Sequence, residues 1–372
     1  MPRVAVDAMG GDRAPGVVVE GALLAARQFG ADIILVGQKD ALERELARHA
    51  PEFPSLPIMP ASQVIAMDES PGAGLRKKDS SMKIAFEMMK RDEAQAVVSA
   101  GNSGAMMATG MFVMGTLFPV TRPAISIVVP DRGKGTVIID AGANVDCNPV
   151  HLLQFAIMGS VYAEQVLRVS KPRVGLLSNG EEESKGNELT RAARELIAGA
   201  ALNYVGYVEG RDIFDGKVDV IVCDGFTGNI VLKTMEGVAG FVGEVFKGAF
   251  KKNLPSRLGY LMSRKSLREA YGRIDYAEYG GAPLLGLEGV AIIAHGGSSP
   301  RAVKNAIRVA AESVSHDVNR HISQALEAAG ASAAEKQDRF PRRIWQRIKS
   351  RIENLGEHQA VEAEGKERKG GK

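Results

Sequence analysis

The sequence predicts an α/β/α sandwich built on a mostly parallel sheet, and three observations carry that expectation. Short apolar runs recur along the chain, each breaking into a small, polar, glycine-rich loop and then into a helical pattern. Strand–loop–helix recurrence of this kind places helices on both faces of a parallel sheet. One short polar connection favours a hairpin: Pro130-Asp-Arg-Gly-Lys-Gly135 joins Ala124–Val129 to Thr136–Asp140, which implies an antiparallel pair inside the sheet. Glycine is abundant, at 42 residues, while aromatics make up 5%, which suits many ligand-facing turns.

In chain order, Val4-Ala-Val6 reads as a strand buried on both faces, and Asp7, Gly10, Gly11 and Asp12 form the loop after it. Paired glycines let backbone approach a ligand closely or take positive φ. The spacing is neither a dinucleotide fingerprint nor a P-loop. Ala31–Gly37 is a second buried strand, and Asp40 caps a helix carrying Leu42 and Leu46. Pro51–Pro60 is a proline-rich connection with a short strand at Ile58, and 68–74 is a loop followed by Arg76, Lys77, Lys78 and Lys83. The strand Ala96-Val-Val-Ser99 ends in Ala100-Gly-Asn-Ser-Gly104, and Ala105–Met114 reads as a buried helix. The hairpin ends in Asp140-Ala-Gly-Ala-Asn144, and His151–Val169 is a long helix. Arg173–Ser178 is a strand leading into 179–187 and another helix; Tyr204–Val208 is strand-like. Val218–Cys223 runs into Asp224-Gly-Phe-Thr-Gly-Asn229 and a helix with Val231, Leu232, Met235 and Val238. Val290–Ala294 is the last strand, ending in His295-Gly-Gly-Ser-Ser-Pro300, where serine caps and proline opens the next helix. Residues 1–330 are expected to form one catalytic unit, with two interleaved lobes as an option.

Residues 244–273 differ from the rest. Eight basic side chains face two acidic ones, and Phe250, Leu254, Leu258, Tyr260, Leu261, Met262 and Leu267 are interleaved. Asn253, Pro255 and Gly259 suggest a projecting helical hairpin. From Ala331 the chain becomes polar and basic. Ile344, Ile348, Ile352 and Leu355 share one helical face with Trp345 beside them, and Arg342, Arg343, Arg347, Lys349 and Arg351 cover the rest. That pattern fits a membrane-surface helix or one packed on its own protein. Residues 357–372 are expected to be disordered.

Composition excludes several classes. A chain of 372 residues, 45% hydrophobic and 24% charged, is globular and large enough for a substantial core. A net charge of +3 does not indicate a nucleic-acid binder. Two cysteines, Cys147 and Cys223, exclude a disulfide scaffold and fit a reducing cytoplasm. No leader-like segment precedes the first strand, and no run of about 18 apolar residues reads as a membrane span.

Six strand-end loops share one character: small, polar and glycine-rich. A parallel sheet would gather them on one rim, where loop amides and helix N-termini hold anions. The phosphate- or substrate-binding candidates are Asp7, Gly10, Gly11, Ser99, Gly101, Asn102, Ser103, Gly104, Asp140, Asn144, Asp224, Gly225, Thr227 and Gly228. Asp7 and Asp12, beside an anion, are expected to orient loops or donors. Lys185 is a candidate cation for a phosphate or developing oxyanion, against the bland reading of a solvated lysine. His295 is a candidate acid, base or donor, and Asn187 and Asn229 complete the catalytic candidates. Neither thiol reads as a nucleophile: Cys223 closes a buried strand, and Cys147 lacks a second Cys/His pair for a metal. A reaction whose attacking group comes from a cosubstrate needs no protein nucleophile.

With these loops in hand, the sequence closely resembles the bacterial phosphate acyltransferase family, the acyl-carrier-protein:phosphate acyltransferases of phospholipid synthesis. The resemblance rests on 5–16, 99–105, 140–147, 177–187, Asp224–Asn229, Tyr279-Gly-Gly-Ala-Pro-Leu-Leu-Gly286 and Ala294-His-Gly-Gly-Ser298, and runs from Val4 to about Ile322. It implies a Rossmann-like fold similar to isocitrate and isopropylmalate dehydrogenases. It implies attack of inorganic phosphate on the acyl-carrier-protein thioester, with no cofactor and no metal, by a cytoplasmic homodimer near the membrane. A glycerol-3-phosphate acyltransferase would consume the product there. The basic hairpin, with Lys251, Lys252, Arg257, Arg264, Lys265 and Arg268, suits docking of an acidic carrier or of an anionic membrane. The rival readings are an acyl-CoA or acetyl-CoA:phosphate transferase, a nicotinamide-dependent decarboxylating dehydrogenase, and a noncatalytic membrane-surface scaffold.

Overall fold

The apolar runs form an 11-stranded sheet in the computed structural model, which describes residues 1–49, 52–53, 55–274 and 280–335, without the side chains of 268–274 and 331–335. The expected amphipathic helix at 339–355 and the polar end therefore lie outside the described residues. The strands are β1 (Arg3–Asp7), β2 (Asp32–Gly37), β3 (Ile58–Pro60), β4 (Ala96–Ser99), β5 (Ala124–Val129), β6 (Thr136–Ile139), β7 (Arg173–Leu177), β8 (Asn203–Val208), β9 (Val220–Val222), β10 (Ala282–Leu285) and β11 (Val290–Ile293). The helices are α1 (Gly16–Phe29), α2 (Lys39–His49), α3 (Ala73–Arg76), α4 (Ser81–Lys90), α5 (Ser103–Val113), α6 (Pro149–Gln165), α7 (Glu188–Gly199), α8 (Gly225–Lys251), α9 (Leu254–Ile274), α10 (Pro300–Ser315) and α11 (Val318–Glu335).

The strand order is β3-β2-β1-β4-β11-β10-β5-β6-β9-β7-β8. The first five strands are mutually parallel. β10 is antiparallel to both β11 and β5, and β5 is antiparallel to β6. β6, β9, β7 and β8 are again parallel to one another, now in the sense opposite to β1. The expected hairpin is present, with Ser126 opposite Ile139. β10 was not expected: Pro283 interrupts a four-residue strand, and proline is a poor strand former.

Four apolar clusters explain the layers. α1 and α10 cover one face of the first half-sheet, through Val19, Leu23, Val303 and Ile307, and α4 and α5 cover the other. α6, α7 and α11 cover one face of the second half through Phe155, Tyr162, Ile197 and Ile322, while α8 lies on the opposite side. Burying one Leu or Ile of this kind contributes about 1.5–3 kcal/mol, so strands with no exposed face hold the sheet firmly.

Two helices depart from expectation. The first arm of the projecting hairpin begins at Gly225 rather than near 244, because the helix after β9 continues without a break through Lys251. α5, expected to be buried, exposes Phe112 on its outer side.

Candidate active site

The reversal between β11 and β6 sorts the six loops into two sets. Loops after β1, β4 and β11 leave one end of the strands; those after β6, β7 and β9 leave strands of opposite sense. The single rim expected if these six strands all ran parallel is thus replaced by two sets of loops. The physical reason is three successive antiparallel pairings, β11 with β10, β10 with β5 and β5 with β6, an odd number that leaves β6 opposite in sense to β11.

The first set is tightly knit. β1 and β4 pair Asp7 with Ser99, and β4 pairs Ser99 with Ile293 of β11. Asp7 is buried; it accepts from Ser99 Oγ at 2.6 Å and from the Met9 amide at 3.2 Å. Burial pushes its carboxyl above the usual carboxylate range, against hydrogen bonds from Ser81, Ser99, Met9 and Gly10. Ser99 Oγ in turn accepts from the Gly101 amide at 3.0 Å. Gly10 and Gly101 meet so closely that a Cβ on Gly10 would lie 2.7 Å from the Gly101 nitrogen. Gly11 turns the chain at φ +104°, and the Asp12 amide donates to Gly296 O at 2.9 Å. Arg13 fastens the same loops by donating to Gly297 O and Ser298 O, both at 2.8 Å.

Two longer helices point their N-termini at this set. Asn102 caps α5, accepting from the Ala105 amide, while its Nδ2 donates to Met67 O at 2.8 Å and Glu69 O at 2.9 Å. The 68–74 loop thereby joins the site, with Glu69 paired to Lys77 at 2.7 Å. Ser299 caps α10, accepting from the Ala302 amide at 3.2 Å, with Pro300 at the first helical position. Ser103 and Gly104 occupy the first turn of α5, where amides lack an intrahelical acceptor and favour negative charge. His295 is exposed, and its Nδ1 accepts from the Gly297 amide at 3.0 Å, which places the proton of the neutral ring on Nε2.

The second set is organised around Asp140. Its carboxylate accepts from the amides of Ile125, Gly142, Ala143 and Asn144 and from Asn144 Nδ2. Burial pushes this carboxyl up as well, against hydrogen bonds from Gly142, Ala143 and Asn144. Asn144 spends its remaining donor on Pro123 O at 2.8 Å. Asp224 caps α8, accepting from the amide and hydroxyl of Thr227, both at 2.8 Å. A Cβ on Gly228 would overlap the Asp140 carbonyl, and one on Gly225 would lie 2.7 Å from Asn144 backbone. These glycines therefore admit neighbouring backbone. Asn229 is exposed in the first turns of α8, beside Gly142. Asn187 caps α7, its Oδ1 accepting from the Thr190 amide while its own amide donates to Thr190 Oγ1. Lys185 is exposed between Glu182 and Gly186, and its ammonium makes no ion pair among the described residues.

The thiols are unsuited to attack. Burial, with Asp140 nearby, pushes Cys147 up to about 12, and Cys223 rises well above its ordinary value for the same reasons. Cys147 donates to Asn144 O, and His151 belongs to the capping box of α6.

The sequence reading missed Arg13 and Met67. Arg13 stood inside the Gly-Gly-Asp-Arg segment, where a long donor next to glycine turns was the available signal. The caps were legible too, as Asn187 and Asp224 each precede a threonine by three residues.

Comparison with known proteins gives a consistent result. The family model described as "Fatty acid synthesis protein" matches residues 2–321. The chain is 55% identical to the phosphate acyltransferase of Geobacter sulfurreducens over 327 residues, 87% of this chain and 94% of that protein. It is 52% identical to the phosphate acyltransferase of Citrifermentans bemidjiense over 340 residues, 91% of this chain and 97% of that protein. Among solved structures it resembles the EutD phosphotransacetylase from Staphylococcus aureus, with a TM-score of 0.54 and 14% identity over 84% of this chain and 93% of that one. A phosphotransacetylase from Streptococcus pyogenes gives a TM-score of 0.55 and 16% identity over 88% and 94%. These two likenesses speak to the fold alone. The family match and the identities over nearly the full length of the relatives settle the kinship: the chain belongs to the fatty acid synthesis protein family, that of the bacterial phosphate acyltransferases.

Proposed function

We propose that this enzyme transfers a fatty acyl group from acyl-carrier protein to inorganic phosphate, and that its reaction site is built on the first set of loops. One observation carries the placement: three adjacent strand ends, two helix N-termini and the His295 ring meet there. Phosphate supplies the nucleophile. A phosphate oxygen forms a bond to the thioester carbonyl carbon, and the C=O pair moves onto oxygen. Collapse of that oxyanion breaks the C–S bond, and the carrier thiolate leaves and takes up a proton. The protein's part is to position the two substrates and stabilise the oxyanion. The Ser103 and Gly104 amides and the His295 Nε2–H are suited to that part. Asp7, Ser99, Asn102 and Arg13 hold those donors in place.

Lys185, Asn229 and the second set are assigned to the facing wall. Ordinary sheet twist of ~20–25° per strand turns strand direction by roughly 110° over the five steps from β4 to β9. Strands of opposite sense then differ by about 70°, so both sets of loops lean toward a common side.

The projecting hairpin is proposed as the docking element. Lys251, Lys252, Arg257, Arg264 and Lys265 are exposed, as are Leu254, Leu258, Leu261 and Met262 among them. Arg268 lies on α9, with its side chain outside the described residues. This surface suits an acidic carrier and an anionic membrane face. The exposed Ile230, Phe241 and Val245 of α8 suit a second copy of the chain in a homodimer. No helix among the described residues is long and apolar enough to cross a membrane, so contact with the cytoplasmic face would be peripheral. The test is thioester loss with acyl-carrier-protein and acyl-CoA donors, with and without phosphate. Phosphate-dependent loss favouring the carrier is expected. Preference for CoA would overturn the assignment of the donor.

A further inference from the structure

Helix α5 is apolar on nearly every side, and a helix of that kind is ordinarily buried all round. Here the inner side is fully covered and the outer side only in part: Ala105, Met106, Thr109, Gly110 and Val113 are buried. Met107, Ala108 and Met111 are half-buried, and Phe112 is 59% exposed. Helical spacing aligns Ser103, Met107 and Met111 in one row and Gly104, Ala108 and Phe112 in the next. Both rows start in the first turn, at the proposed reaction site. Met67, 42% exposed, stands at that start: its carbonyl accepts from Asn102, and its methyl lies against Gly296. Just beyond the helix, Phe118 is 72% exposed.

We infer that this outer face of α5 seats the fatty acyl chain of the donor, with the thioester carbonyl at the first turn and the chain over Met107, Met111 and Phe112. The inference rests on placing the reaction at the first set of loops. Continuity decides the occupant. No residue of α5 itself is charged from the helix N-terminus, which favours a developing oxyanion, to Phe112, where the Lys83 ammonium lies 5.9 Å from the ring centroid and marks the far end of the apolar row. An acyl thioester has that order of groups, a polar carbonyl followed by methylenes. Unbranched, adaptable methionines suit a flexible aliphatic occupant. From Ser103 to Phe112 the face is about 13 Å long at 1.5 Å per residue. That matches roughly ten carbon–carbon bonds of an extended chain. Short acyl groups would end before Phe112, and long ones would cover it.

The test compares butanoyl and hexadecanoyl thioesters of acyl-carrier protein in the full-length enzyme with Phe112→Ser, an exposed position where folding should survive. KM for the hexadecanoyl donor should rise about 10-fold while the butanoyl donor changes less than about 2-fold, as for loss of an apolar subsite. An unchanged KM at both lengths, or an equal rise at both, overturns the inference. Asn102→Ala separates the two levels of the argument. It removes the α5 cap, so it should lower kcat at both chain lengths. If it has no effect, the placement of the reaction fails. If it impairs both donors while Phe112→Ser leaves the length profile flat, only the acyl seat fails.

Discussion

Gly10→Ala probes the construction of the site most sharply. Gly10 has no positive φ, so alanine meets no backbone penalty there, only contact. The added methyl would lie 2.7 Å from the Gly101 nitrogen and 2.8 Å from Asp7 Oδ2. An ordinary contact near 3.4 Å requires about 0.7 Å of separation between the β1 and β4 loops. The same two loops carry the Ser99–Asp7 hydrogen bond at 2.6 Å and the Gly101–Ser99 bond at 3.0 Å, so neither can yield alone. Overpacking of this kind costs about 1–3 kcal/mol, small enough for the fold to persist. The effect on catalysis should be larger, since displacing a positioned group by ~1 Å costs about 100-fold in rate. Acyl phosphate trapped with hydroxylamine should form 10–100-fold more slowly, at roughly those bounds, with the urea midpoint only modestly lowered. Gly330→Ala is the control: nothing lies within 4 Å of its Cβ, and it is far along α11. Wild-type turnover by Gly10→Ala would refute the claim that these loops position the reaction.

Three further outcomes follow from the same geometry. Cys147→Ala should keep turnover within about 3-fold, and alkylating agents should react slowly with the native protein at neutral pH, because a thiol at about 12 is almost wholly protonated; rapid inactivation by alkylation would contradict this. Lys185→Ala should lower kcat with folding intact, as expected for a cation facing the transferred charge; unchanged kcat would leave Lys185 as a solvated lysine. Asp7 binds its proton more tightly folded than unfolded, so its contribution to stability falls as pH rises from about 4 through its raised native value. The wild-type minus Asp7→Asn difference in unfolding free energy should decline over that window, and a flat difference would refute the upward shift.

Much of this architecture was legible because strands buried on both faces advertise themselves. Val4–Val6, Ala96–Val98 and Val220–Val222 are apolar runs with no exposed face, and each ends in a glycine loop that is easy to see. The direction of half the sheet was not legible. It depends on β10, whose Ala-Pro-Leu-Leu carries no strand signature and is fixed by pairing with β5 and β11. The glycines were also ambiguous in sequence. Gly225 and Gly228 look like ligand-facing residues, yet they face the Asp140–Asn144 backbone, a contact between segments about 80 residues apart. At strand ends, Asp140, Asn144 and Asp224 read from the sequence as candidate substrate ligands. Their side chains are occupied holding loops and a helix cap, which only the folded geometry reveals.

The central claim is that phosphate itself attacks the thioester, with no acyl group passing through the protein. Intact-mass measurement of the enzyme mixed with acyl-carrier-protein thioester tests it directly. Without phosphate the enzyme's mass should stay unmodified and the thioester intact, and addition of phosphate should release carrier thiol together with acyl phosphate. An acyl adduct on the enzyme before phosphate is added would contradict the account.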